Sequence, residues 1–428
     1  WASNKPYDFK YNPNEPSLAE LANQTASYAD SFGEYGEAAI VVLGRNNGEG
    51  ADYKPGTDGV ADGVGSRTAL ALSSNEKAVV QLACDNFSKV VVLITGVSPM
   101  ELGELRDNDK IGAIMYIGIP ATYGCEGVGN LLQGKANPSG GLYDIYARNS
   151  LSSPAMRNMG HYELTNADLI TRKDTSSVGT RGTDPGFKHY VIEAEGIYVG
   201  YRYYETRYFD CVNGDVSAKT KTDATGIYED STTGWNYSEE VVWSFGYGLS
   251  YTTFEKKITD ISWEKTAHEQ IARVSVSVKN TGSVPGKTSV QIYGQAPYTA
   301  YDRANGVEKS AIQLLNFEKT DVIPAGQTVT VTVDVDLQNL ASYDENGAGT
   351  YIMENGDHYF AVGNGAHDAL NNILAAMGKT TSDGMDENGV AAAARKWTYD
   401  TATVANGVDD FTFSQSKNGT KIENRLDY

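Results

Sequence analysis

The residues whose types and spacing invite chemistry gather in the stretch GRNNGEGADYKPGTDGV, from Gly44 to Val60. Glycines at 44, 48 and 50 let a backbone turn sharply and come close to a ligand. Glu49 stands between two of them. A partly desolvated carboxylate in such a place can give a proton to a leaving group and later take one from water. Asp52 and Asp58 compete for that role, and the plainer reading of a solvated loop acid stays open for all three. Arg45 either orients a carboxylate such as Glu49 or makes an ordinary loop ion pair. A phosphate loop is not supported, because the Gly-Lys-Ser/Thr ending is missing, and the three-glycine dinucleotide pattern is not matched either.

Other reactive side chains carry weaker signals. Tyr298, Tyr301 and Arg303 fall in a long loop that could reach a substrate. Glu126 reads as a structural loop acid. Tyr198, Tyr201, Tyr203 and Tyr204 form an aromatic run beside Arg202 that reads as packing and hydrogen bonding between layers. Trp243 and Phe245 read as core. The histidines (His161, His189, His268, His358, His367) show no ligand spacing. Cys84, Cys125 and Cys211 are too far apart for a disulfide framework. No Cys/His spacing fits structural zinc.

Positioning the Gly44–Val60 loop requires a sheet. AAIVVL (38–43) ends at Gly44 as a buried parallel strand would. VVVLIT (90–95) and the run from Ile111 to Ile117 repeat the pattern, with helical spacing from Ser74 to Cys84 and near Leu131. Strands alternating with helices predict an α/β layer with a mostly parallel sheet, whose ligands bind beyond the carboxyl ends of the strands. Between about 145 and 240 the periodicity weakens, and loops with short strands are expected. From Thr252 the pattern becomes all-β. IARVSVSV (271–278), Ser289 to Tyr293, VTVTVDVDL (329–337) and Tyr359 to Gly363 predict a β-sandwich of fibronectin or immunoglobulin type. HDALNNILAAMG predicts one helix, followed by a polar tail. The expected layout is an extended arm over 1–20, an α/β domain over 21–250, a β-sandwich over 251–365, and a helix with a polar tail or linker over 366–428.

Composition narrows the partners. The chain has 428 residues, more than one core comfortably supports, and a net charge of -20. That acidity argues against nucleic acid or an anionic membrane surface as the main partner. No apolar run approaches the roughly 18 residues of a membrane-spanning helix. Trp1 in first position implies that something upstream was removed, with an extracellular or cell-surface location favoured over a cytoplasmic one.

Several strings, in order, carry a family resemblance. GRNNGEGAD (44–52) resembles the strand–loop signature of the second domain of glycoside hydrolase family 3. NPSGGL (137–142) is similar to its Asn-Pro-Ser-Gly turn, and EGIYVGYRYYE (195–205) and FGYGLSYTTFE (245–255) resemble its most recognisable strings. VKNTGSVPGKTSVQIY (278–293), LNFEKTDVIPAGQ (315–327) and YDENGAGTYIMENGDHYFAVGNG (343–365) resemble its fibronectin type III-like domain.

The resemblance implies an α/β sandwich followed by that β-sandwich, in a β-glucosidase-like enzyme that removes β-linked sugars with retention. Such an enzyme uses two carboxylates about 5 Å apart, and the resemblance implies neither a metal nor a cofactor. Glu49 then matches the family's acid/base. The nucleophile would come from a TIM-like barrel of roughly 250 further residues, which this sequence does not contain, so the chain alone is expected to be inactive. The layout resembles the front half of a domain-permuted member. The barrel would be a partner in cis or on a second chain, and the face it would cover favours a homodimer when bare. GCEGVGN (124–130) and the tail of NPSGGLYDIYA depart from the family pattern. A β-hexosaminidase branch fits less well, since its acid/base usually comes from the barrel. The other reading is a non-catalytic carbohydrate-binding or assembly module on the same scaffold.

Overall fold

The computed structural model describes residues 15–24, 28–45, 70–158, 193, 195–214, 235–265, 270–400 and 420–422. Glu49, Asp52 and Asp58 lie outside the described residues, as do His161, His189 and His268. The chain divides into two compact units, one made of residues 1–119 and 147–196, the other of residues 120–146 and 197–428.

The first unit is built on a three-stranded parallel sheet in the order β1 (Ala39–Gly44), β2 (Val90–Thr95), β3 (Ile111–Gly118). Val90, Val92 and Ile94 of the central strand are fully buried, and Leu93 is buried on its other face. Burial on both faces is why this strand reads as a continuous apolar run. The run in β1 reads the same way but behaves differently. β1 is an edge strand of this sheet; Val41 and Leu43 point into the core while Ile40 and Val42 are each 53% exposed.

Helix α1 (Ser74–Asn86) packs beside β1, burying Val80, Ala83 and Cys84. Its start is written locally. The Ser73 hydroxyl accepts from the Glu76 backbone N–H at 3.0 Å, and the Glu76 carboxylate accepts from the Ser73 N–H at 2.7 Å. This reciprocal capping box satisfies two donors that a helix otherwise leaves bare, a contribution of about 1 kcal/mol.

In the second unit, helix α2 (Ala121–Leu132) places Glu126 on an exposed helical turn rather than in the loop the sequence suggested. Residues 201–213 also depart from expectation. The Tyr-rich run between 145 and 240 reads as loops and short strands, yet Tyr201–Asn213 is a 13-residue helix, α3. Aromatic residues favour strands by propensity, but Tyr204, Tyr208 and Val212 recur every four residues and are all buried. That spacing wins. Gly214, with a φ of 70°, ends the helix and donates to Asp210 O at 3.0 Å.

The β-sandwich has two antiparallel sheets. One has the order β8 (Thr328–Asp336), β5 (Gln270–Asn280), β4 (Phe254–Lys265). The other has the order β10 (Ala394–Tyr399), β9 (Gly356–Gly363), β6 (Ser289–Gln295), β7 (Gln313–Lys319). Along β5, Ala272, Val274, Val276 and Val278 alternate inward and are fully buried against Val290, Ile292, Val333, Val335 and Phe360. Each large side chain so removed from water contributes roughly 1.5–3 kcal/mol.

The segment expected to be a helix and polar tail is part of this unit as far as Tyr399. Helix α4 (Ala366–Ala376) packs on β9, with Leu370, Ile373 and Leu374 buried. β10 then pairs with β9, from Ala361↔Ala394 to Gly356↔Tyr399. Its Arg395 and Lys396 face solvent, as suits an edge strand.

Candidate functional site

At the carboxyl edge of the parallel sheet the three strand ends are tied together. Arg45 N donates to Thr95 O at 3.3 Å, and the Thr95 hydroxyl and Gly96 N both donate to Gly118 O, at 2.7 and 3.2 Å. The Tyr116 hydroxyl closes the group on Gly96 O at 2.8 Å. Gly44 sits so close that a Cβ there would lie 2.6 Å from Thr95 Cγ2, which excludes any side chain.

Beside Gly44, the sequence singles out Arg45 at this edge within the described part of the chain. It is 4% exposed, and its guanidinium meets the Glu76 carboxylate at 2.5 and 3.2 Å. The same fork reaches Gly44 O at 2.8 Å and Ala71 O at 2.6 Å. A planar guanidinium suits several acceptors at fixed angles, whereas an ammonium would not. Arg45 therefore ties the end of β1 to Ala71 and to the first turn of α1. Ala71 pairs in turn with Glu101, and Glu101 N donates to Leu70 O at 3.0 Å. Both flanks of the 46–69 stretch are thus anchored by one buried ion pair.

The second set of candidates belongs to the second unit. Tyr298, Tyr301 and Arg303 come together around a short helix, Ala300–Asn305, capped by Thr299. The Arg303 guanidinium lies 4.4 Å from the Tyr298 ring centre, a cation–π contact. The Tyr301 hydroxyl donates to Asp344 at 2.6 Å, and this bond raises the Tyr301 pKa. Behind them lies a buried ion cluster. Lys309 Nζ bonds both Asp302 carboxylate oxygens at 3.0 Å and pairs with Glu354. Burial, reinforced by Asp302 and opposed by Lys309, raises Glu354 to about 7 from an ordinary 4.5. The folded state then holds a proton that an unfolded chain releases, so stability falls as pH rises from about 4.5 to about 7. Glu354→Gln should flatten that part of the profile, measured as urea unfolding across the window.

A second buried polar cluster escaped sequence reasoning. His367 Nδ1 meets Glu205 at 2.9 Å and its Nε2 meets Asp386 at 2.8 Å. Tyr237 donates to Glu205 at 2.5 Å, and Asn371 donates to Asp386 at 3.2 Å. Glu205 and Asn371 are fully buried. The cluster joins α3 and α4 to Tyr237 and Asp386. Tyr198, Tyr203 and Tyr204 are buried as the sequence suggests, and Tyr201 accepts from Leu314 N at 2.9 Å. Trp243 and Phe245 are half-buried, with Phe245 stacked on Tyr201 at 4.5 Å. Among the described residues no group of His, Cys, Asp and Glu is arranged to hold a metal ion, and no helix is long and apolar enough to cross a membrane.

Taken together, the architecture defines a class: an α/β unit with a parallel sheet, followed in sequence by a fibronectin-type β-sandwich. Comparison with known proteins sharpens this. Residues 18–251 match the glycosyl hydrolase family 3 C-terminal domain, and residues 288–366 match the fibronectin type III-like domain. The chain belongs to glycosyl hydrolase family 3. It is 28% identical over 376 residues to a β-glucosidase of Ruminococcus albus, covering 86% of this chain and 31% of that protein. It is 28% identical over 383 residues to β-glucosidase A of Butyrivibrio fibrisolvens, covering 83% and 38%. Among solved structures, a β-glucosidase from Paenibacillus barengoltzii superposes with a TM-score of 0.56 at 26% identity, covering 83% of this chain and 31% of that one. The chain thus spans between about a third and two fifths of these relatives' lengths.

Proposed function

We propose that the chain is part of a retaining β-glycosidase, β-glucosidase-like in substrate class, and that Glu49 supplies its general acid/base. The observation that carries this is the family match over residues 18–251, within which GRNNGEGAD follows β1. The relatives' names as β-glucosidases support the substrate class.

In the first step a carboxylate nucleophile attacks the anomeric carbon while Glu49 gives its proton to the glycosidic oxygen. The carbon–oxygen bond breaks, and the sugar is left covalently bound to the enzyme. Glu49, now ionised, takes a proton from water as that water attacks the same carbon and releases the nucleophile. We assign the nucleophile to a barrel domain, supplied in cis or by a second chain, and to no residue of these 428. The Arg45–Glu76 pair contributes by anchoring both flanks of the Glu49 stretch.

Isolated, the chain should not hydrolyse aryl β-glucosides, and adding a family barrel domain should restore turnover. Enzyme-like turnover by the chain alone would refute the placement of the nucleophile. Failure to turn over in any barrel-containing form would favour a non-catalytic carbohydrate-binding role instead.

A further inference from the structure

We propose that the second unit carries a binding site for an uncharged polyhydroxylated molecule, a sugar or sugar alcohol, in a pocket anchored by Lys256 and Asp368. The site does not rest on the assignment of Glu49, and its test reads binding rather than turnover.

The pocket holds about 390 Å³, within the range that proteins use for small ligands. Segments around Gly140, Gly246 and Gly363 line it, and the first two pass too close for side chains: a Cβ on Gly248 would collide with Gly140 O.

Most of the polar side chains at its rim already have partners. Ser250 donates to Asn137 at 2.7 Å and Thr252 to Asn280 at 2.6 Å. Gln291 donates to Gly246 O at 3.0 Å, and Asn372 bridges Val362 O and Val390 N at 2.8 and 2.7 Å.

Lys256 and Asp368 are different. The Lys256 ammonium gives one hydrogen bond, to Gly363 O at 3.2 Å, and has two more N–H groups to offer. Asp368 accepts from Asn364 N at 2.7 Å through Oδ2, leaving Oδ1. Burial, against the pull of Asp368, lowers Lys256 to about 8, the mark of an ammonium short of solvent. Apolar atoms of Phe254 and Val390 line the same pocket.

This inventory selects a ligand class. Two ammonium groups, Lys256 and Lys287, and two carboxylates, Asp368 and Glu255, line the pocket, so neither an anion nor a cation meets a lining of one opposite sign. A hydroxyl accepts from the ammonium, its neighbour donates to the carboxylate, and the pair stays balanced. The C–H face of a polyol then lies on apolar wall, the mixture of few placed polar groups and apolar lining that small-molecule sites use.

The test titrates the full chain with D-glucose, D-glucuronate and D-glucosamine, followed by calorimetry and saturation-transfer NMR. Glucose should bind, and more tightly than either charged analogue. Lys256→Met and Asp368→Asn should each weaken glucose by about tenfold or more, since each removes a hydrogen bond to a charged group. Asp368→Asn keeps an acceptor for Asn364 N and should stay folded in the binding assay, with a denaturant midpoint only slightly lowered by loss of the carboxylate from the first turn of α4. It should also shift preference toward glucuronate, which a folding defect would not do. Absence of glucose binding to the wild-type chain, wild-type affinity for glucose in either variant, or tighter binding of either charged analogue would each overturn the proposal.

Discussion

Replacing His367 by Ala is expected to lower the unfolding free energy of the second unit by about 3–5 kcal/mol near pH 6, the usual cost of removing one partner from a buried ion pair. His367 lies between two carboxylates, and Glu205 is fully buried. Burial works against a charged imidazole, but Glu205 and then Asp386 overcome it and raise His367 to about 10. Tyr237 stacks on the ring at 3.7 Å between centres, which further favours the cation. Without the imidazolium, Glu205 keeps the Tyr237 hydroxyl and loses its counter-charge.

The pH dependence follows from the directions of the shifts. A His with a raised folded-state pKa stabilises fully below its unfolded value of about 6.5 and loses that contribution as pH rises through about 10. Asp386 is opposed by burial but held down to about 2 by His367, so its contribution is complete above about 4 and disappears as pH falls toward 2. Urea melts should therefore show greatest stability from this cluster between about pH 4 and 6.5. The gap between wild type and His367→Ala should narrow above that range. A gap unchanged from pH 6 to 10 would show that His367 acts through packing alone.

Arg45→Met should cost a similar amount, about 3–5 kcal/mol, in the first unit, because it strands the buried Glu76 carboxylate. The double variant Arg45→Met/Glu76→Met removes both charges and should recover most of the loss, although Glu76 also caps α1 and about 1 kcal/mol of capping should remain lost. Arg45→Lys should recover only part, because one ammonium cannot reach Glu76, Ala71 O and Gly44 O in a single geometry. Thermal unfolding of the four proteins measures this. A double variant no more stable than Arg45→Met would mean that the packing of the guanidinium, rather than its charge, holds the edge.

Much of the fold is legible in single segments. The VVVLIT strand, the Ser73–Glu76 start of α1 and the alternation of IARVSVSV each express one physical rule over a few residues. Legibility fails where two rules compete. Tyrosine's preference for strands hid α3, whose Tyr204–Tyr208–Val212 spacing was the available signal. The polar, Gly/Asp-rich composition of the tail reads as a linker, and only the pairing of ARKWTY with β9 makes its edge strand evident. It fails altogether for long-range polar clusters. Glu205 and His367 are 162 residues apart, and nothing near either one announces the other. Lys256 and Asp368 share a pocket wall on the same terms. Glu49 by itself is one acid among three in its stretch of sequence, and only the resemblance in GRNNGEGAD separates it from Asp52 and Asp58.

The most direct measurement is azide rescue of Glu49→Ala in a barrel-containing form of the enzyme, across aryl β-glucosides of graded leaving-group acidity. Loss of the acid should slow poorly activated substrates by about 10²–10⁴-fold, with much smaller losses for leaving groups that depart unprotonated. Azide needs no general base, so with activated substrates, whose glycosyl-enzyme breaks down slowly without one, it should intercept that intermediate and restore turnover as a glycosyl azide. A variant with undiminished rates, or with a uniform loss that azide does not relieve, would contradict the role of Glu49.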